Sequence, residues 1–393
     1  MILEPLRIAE YAMMFSVLFF TVVMLLIYLR NRERITRSGQ KKYEPTVSVV
    51  IPAYNEEETV GKTLESLLEV DYPKDKIEIL VVDDGSTDKT AAVVRSFKDK
   101  RVVLLQKKNE GNKAFANNHG IRHSKGEVII TLDADSWVAK DAIRKLLAYF
   151  DTDVAAVTSA VKVREKDDLN FIEKLQRVEY LFTIFNRRLF AMINGVYVTP
   201  GPLSAFRRKV FDEVGLFDTN TIMEDQEIAL RIQSANYRIE SCMDAVVYTS
   251  VPRDFDALMK QRIRWNRGGM QNAMKYAFMV NPKYGDFGMF VMTYSIASIL
   301  LLLLVSTVVA VAMTKIAETA YNDPLLAIEP IHVLSFIVLL LTIGWTVIAL
   351  REINDKKTKK RIVLAYTILY CYLITLFMFI AIFKELKGEK QVW

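Results

Sequence analysis

The sequence predicts an α/β domain on a mixed, mostly parallel sheet, hung between α-helical transmembrane segments. Three observations predict it. Four apolar runs, at about residues 9–29, 287–313, 331–350 and 362–383, each approach or exceed the roughly 20 apolar residues that cross a bilayer. A charged stretch separates the first run from the second. Within that stretch, short β-branched runs alternate with segments of helical periodicity, the order of a parallel sheet with helices on both faces.

The first run, YAMMFSVLFFTVVMLLIYL, carries no charge and lacks a small-residue cleavage site, so it reads as an anchor and not as a removed leader. Basic residues near the helix ends set the orientation. Arg30, Arg32, Arg34, Arg37, Lys41 and Lys42 follow the first run, and REINDKKTKKR (351–361) separates the third from the fourth. Both regions are expected on the cytoplasmic side, with 314–330 outside. This gives a membrane helix over 1–30, a cytosolic domain over 31–285 and C-terminal membrane helices over 286–393 in a multi-pass plasma-membrane protein. Four full spans leave the C-terminal KELKGEK outside, against its charge, so one run is expected not to cross fully.

Composition narrows the function. The net charge is +6, but the basic residues cluster beside the apolar runs, where they meet anionic lipid; nucleic acid is not an expected partner. Cys242 and Cys371 have no metal-like spacing, and His119, His123 and His332 are scattered; structural roles are expected for the histidines.

In the domain, VSVVIP (47–52), IEILVV (77–82), VVLL (102–105) and EVIITLD (127–133) read as buried strands. TVGKTLESLLEV (59–70), STDKTAAVVRSF (86–97) and KAFANNHGIRHS read as the helices between them. Ligands of such sheets bind at the carboxyl ends of the strands. VVDDGSTD places Asp83 and Asp84 at one such end, and TLDADSW places Asp133 and Asp135 at another. Either cluster alone is an ordinary turn or cap. Two clusters on one sheet crowd like charges, which a cation relieves. Hard carboxylate oxygens suit Mg2+ or Mn2+ held together with substrate phosphates. No GxxxxGK[ST] or GxGxxG follows the first strand, which excludes a P-loop nucleotide hydrolase.

MEDQEIALRIQSA reads as a helix with an acidic first turn. In KQRIRWNRGG (260–269), helical spacing puts Gln261, Arg264 and Trp265 on one face. Arg264 can then clamp a diphosphate, and Trp265 offers a flat face to a sugar ring. Arg262 and Arg267 are assigned to a membrane-interface belt. NFIEKLQRVEYLFTIFNRRLF (170–190) carries an apolar stripe that fits a core helix or an interfacial one equally.

PAYNE with VVDDGSTD, LDADS, IMED and QRIRW, in this order, resemble the family-2 glycosyltransferases. The last motif resembles the processive branch that includes hyaluronan, chitin (and chitooligosaccharide), cellulose and poly-N-acetylglucosamine synthases. TPGPLSAFRR (199–208) adds to the likeness. The chain departs from the family pattern at Asn112-Lys113, where Gly-Lys is frequent, and at Met223 before the ED pair.

The resemblance implies a GT-A fold, a Rossmann-like mixed sheet, and a UDP-sugar donor, first of all UDP-N-acetylglucosamine. It implies that Ala53, Tyr54, Glu56, Asp83, Asp84, Lys113, Asp133, Gln261, Arg264 and Trp265 hold the donor. Asp133 and Asp135 would bind the metal, Asp225 would be the general base, and Glu224, Ser204 and Trp265 would meet the acceptor. The expected enzyme inverts the anomeric centre while extending a β-linked polysaccharide that it threads through the bilayer. The alternatives are transfer of one sugar to a lipid, and a transporter or inactive scaffold.

Overall fold

The computed structural model describes residues 3–36, 39, 42–166, 168–299 and 330–389. Helix α1 (Leu3–Ile35) leads into an α/β domain. Its strands are β1 (Val47–Ala53), β2 (Ile77–Asp83), β3 (Val102–Gln106), β4 (Val128–Thr131), β5 (Ser136–Val138), β6 (Val154–Val163), β7 (Ser204–Arg207) and β8 (Arg238–Thr249). They form one eight-stranded sheet in the order β3-β2-β1-β4-β7-β6-β8-β5. β1 to β4 run parallel, β7 is antiparallel to β4 and β6, β6 and β8 are parallel, and β5 is antiparallel to β8. The sheet is mixed, as expected of a GT-A-like fold. The chain leaves β1 on one side for β2 and returns on the other as β4, so the crevice of an open sheet falls at the ends of β1 and β4.

Every residue of VSVVIPA is buried, the pattern of a strand covered on both faces. Helices α2 (Val60–Leu68), α3 (Thr90–Ser96), α4 (Lys113–His123) and α5 (Ala142–Leu147) connect the first half. α3 starts at Thr90 and not at 86, because the DGSTD segment makes a turn. Gly85 takes a φ of +75°, a region open to glycine. The Ser86 N–H donates to Asp83 Oδ1 at 2.9 Å, and Asp88 Oδ1 accepts from the Thr90 N–H at 2.9 Å.

Helix α6 (Phe171–Ala191) opens with a capping box made by Asn170 and Glu173. Its Leu175 and Val178 share a core with Ile362, Tyr366 and Phe377, and its Phe185 and Leu189 one with Met24 and Tyr28 of α1, so the stripe faces the apolar helices, while Leu181 and Ile184 join Ala160 of β6. Helices α7 (Arg208–Val214), α8 (Glu224–Ser234) and α9 (Phe255–Lys275) complete the domain.

The apolar helices pack on α6 and α9. They are α10 (Pro330–Glu352), α11 (Lys360–Ala365) and α12 (Cys371–Leu386), with a π-helical stretch Tyr366–Tyr370 joining the last two. Met24 and Tyr28 of α1 share a core with Phe185, Leu189, Val291 and Ala349. Among the described residues, Met14–Ile35 and Lys360–Leu386 are long and apolar enough to cross a membrane, and a shorter apolar helix covers Phe287–Ile299. Residues 300–313 of the second apolar run, and the expected external segment as far as 329, lie outside the described residues.

Candidate active site

A cavity of about 480 Å³ opens at the crevice. Lys113 from the start of α4, Asp133 and Asp135 beyond β4, Glu224 and Asp225 at the start of α8, and Gln261, Arg264 and Trp265 of α9 all line it. Three motifs that are up to about 130 residues apart in the chain therefore face one space.

Lys113 fastens two of them. Its Nζ pairs with Asp133 and lies 3.9 Å from Glu224 Oε1. Burial would lower the Lys113 pKa, but the charges of Asp133 and Glu224 raise it well above the ordinary lysine value. Asn112 explains the departure from Gly-Lys. Its Oδ1 accepts from the Ala114 N–H at 2.8 Å as the helix cap, and its Nδ2 donates to the Thr219 and Thr221 carbonyls at 2.8 and 3.1 Å. It thereby ties α4 to the loop that leads into Asp225.

The TPG loop closes against the same residues. The Thr199 Oγ1 and N–H both donate to the Asp225 carbonyl, at 2.8 and 3.1 Å. A Cβ on Gly201 would sit 2.7 Å from Lys113 Nζ and 2.8 Å from Asp133 Oδ1, so a larger residue would have to displace the Lys113–Asp133 pair.

The electrostatics set the carboxylates apart. Burial, followed by the charge of Glu224, pushes Asp225 up to about 7. Burial, followed by Asp133 and Glu56, pushes Asp135 up to about 6. Glu56 is also raised, chiefly by burial, with its Thr59 hydrogen bond opposing. Among the described residues no group of three or more His, Cys, Asp or Glu is placed to hold a metal. Asp133 and Asp135, both in the cavity wall, still fit a divalent ion whose other ligands are substrate oxygens.

Not every expected residue faces the cavity. Ala53 and Asp83 are register partners at the ends of β1 and β2. With Tyr54, which is half exposed, and Glu56 they form a shelf beside the carboxylates. Asp84 points away: it is buried and ion-paired with Lys107 at 2.6 Å. Ser204 is fully buried and its Oγ donates to the Pro200 carbonyl at 2.7 Å. In this structure both side chains fix loops, and neither is in the cavity wall. Arg262 and Arg267 are not an interfacial belt either. They are 3% and 7% exposed and pair with Glu179 and Glu385.

Sequence reasoning missed Glu179, Tyr180, Arg187 and Tyr197, which also line the cavity. Burial draws Arg187 down to about 10 against the pull of Tyr197 and Asp225. Arg187, Tyr197 and Trp265 also line a second cavity, of about 560 Å³, which runs on between α1, α6, α9 and α10 past Phe20, Met24 and Trp345.

The comparisons agree with this architecture. Residues 48–215 match the sequence model of glycosyl transferase family 2. The chain is 32% identical over 245 residues to the poly-beta-1,6-N-acetyl-D-glucosamine synthase of Staphylococcus epidermidis, covering 61% of this chain and 58% of that protein. It is 31% identical over 244 residues to the probable glycosyltransferase YdaM of Bacillus subtilis, covering 59% and 57%. The chain thus spans less than two-thirds of the length of these curated relatives. Among solved structures, the mannosyltransferase PcManGT of Pyrobaculum calidifontis, in complex with GDP-Man and Mn2+, superposes with a TM-score of 0.64 at 24% identity. That alignment takes in 90% of this chain and 99% of PcManGT. Residues 48–215 thus match glycosyl transferase family 2, the sheet is that of a GT-A-like fold, and the chain is similar to the poly-β-1,6-N-acetyl-D-glucosamine synthases.

Proposed function

We propose that this chain is a membrane-embedded, inverting, metal-dependent hexosyltransferase that moves N-acetylglucosamine from UDP-N-acetylglucosamine to a growing β-linked polysaccharide. The observation that carries the reading is that two cavities share Arg187, Tyr197 and Trp265 in their walls. One gathers Asp133, Asp135, Asp225 and Arg264, and the other continues between the apolar helices. The name borne by the staphylococcal relative supplies the sugar.

Asp225 accepts the proton from the acceptor hydroxyl as that oxygen attacks the anomeric carbon. A carboxylate that titrates near neutrality suits the task. Arg264 and Lys113 hold the diphosphate, and Trp265 stacks on the acceptor ring. The shelf of Ala53, Tyr54, Glu56 and Asp83 takes the nucleoside. Asp133 and Asp135 would hold a divalent ion, which would supply Lewis-acid stabilisation of the charge on a nucleoside diphosphate. Direct displacement by one activated hydroxyl turns an α-linked donor into a β-linked product.

Transfer of a single sugar to a lipid is the second reading, favoured by Phe20, Met24, Phe190 and Val291 in the wall of the second cavity. Product length separates the two. Purified protein with labelled UDP-N-acetylglucosamine is expected to yield a ladder of oligosaccharides. A single lipid-linked addition would replace the polymer reading, and no UDP release from any UDP-sugar would end both.

A further inference from the structure

Arg262 does not line the cavity but holds residues that do. Its Nη1 donates to Gln261 Oε1 at 2.6 Å. Its Nη2 pairs with Glu179 and donates to the Tyr370 hydroxyl at 3.2 Å. The Tyr370 hydroxyl itself donates to Glu179 Oε2 at 2.9 Å. The guanidinium carbon lies 4.1 Å from the centre of the Trp265 ring. One buried cation therefore touches two residues of the cavity wall on its own helix, a third on α6, and the last apolar segment.

We propose that Arg262 is a positioning residue that sets the Trp265 ring against the acceptor, and that Tyr370 belongs to the same device. The planar fork is what the geometry requires. A guanidinium can stack on an indole while two of its nitrogens donate in fixed directions, and a lysine cannot do both. Tyr370 closes the π-helical turn Tyr366–Tyr370, an irregularity often found at functional positions. The last apolar segment thereby completes the acceptor floor from about 100 residues downstream. The proposal rests on the acceptor role given above to Trp265.

The test uses the full chain in detergent or lipid nanodiscs, with UDP-N-acetylglucosamine as donor and N-acetylglucosamine oligosaccharides as acceptor. Arg262→Lys is expected to raise the acceptor KM about tenfold while the donor KM stays within about twofold. Arg262→Gln should match Arg262→Lys, since charge without the fork does not suffice. Tyr370→Phe should raise the acceptor KM by a smaller factor and add nothing to Arg262→Lys. Trp265 emission, taken as the difference between each protein and its Trp265→Phe partner, should shift in Arg262→Lys.

Acceptor and donor KM rising together, full activity in Arg262→Lys, or an unmoved Trp265 emission would overturn the proposal. If Arg262→Lys does not fold, Tyr370→Phe decides. It removes one hydroxyl and keeps the ring stacked on Tyr366 at 5.5 Å, so an unchanged acceptor KM counts against. Should the wild type release no UDP, the functional reading fails on its own, and the Trp265 emission still judges the placement.

Discussion

Asp225 states the chemistry of a single residue most sharply. Its carboxyl titrates near 7 because burial and Glu224 disfavour its charge, and a base must be ionised to accept a proton. kcat/KM is therefore expected to be lost as pH falls through about 7 and to level off above it, in initial-rate UDP release across pH. Asp225→Asn removes the base and keeps the shape. Transfer should drop by about 10²–10⁴-fold with donor affinity retained in calorimetry; full transfer would refute the assignment. Asp135→Ala should weaken donor binding only when Mg2+ or Mn2+ is present, and an affinity that metal strengthens equally in variant and wild type would remove that role. These aspartates were legible because chemistry-bearing residues cluster at strand ends and helix starts. Glu179 and Arg187 were not, since along α6 a charge between apolar positions looks the same whether it faces solvent or a cavity. Nor does a motif position reveal a partner such as the Lys107 of Asp84, which lies 23 residues on.

At the scale of elements, the loops between strands and helices carry the precision. Gly201→Ala puts a methyl group against Lys113 and Asp133. An ångström-scale displacement there is expected to cut kcat/KM by about 10²-fold while the melting temperature moves little, because catalysis is more sensitive to placement than the fold is. Asn112→Ala removes a helix cap and two bonds to the loop before Asp225. It should lower stability by about 1 kcal/mol, read in denaturant unfolding, together with transfer. β1 to β4 and their helices were legible from periodicity alone, within a few residues. β6 to β8 were not, because the neighbours β7 and β6 are joined through a long excursion containing α6. The π-turn at Tyr366 also leaves no mark in an apolar run.

For the whole molecule, the α/β domain and the apolar helices are one packed body. Tyr28 of α1 donates to Glu352 at 2.7 Å, and the Trp345 indole donates to Asn186 of α6 at 3.2 Å. The segment that runs through α11 and α12 is fastened at both ends. Asp355, ahead of it, pairs with Arg177 at 2.5 Å, and Glu385, at its close, pairs with Arg267 at 2.8 Å. Both arginines belong to the catalytic body. A hydrophobic rod held to one body at both ends and at its middle works as a handle and not as a bridge. A reporter fused after Leu386 should consequently answer from the same compartment as the nucleotide, which would reconcile the lysines of KELKGEK with the side they emerge on.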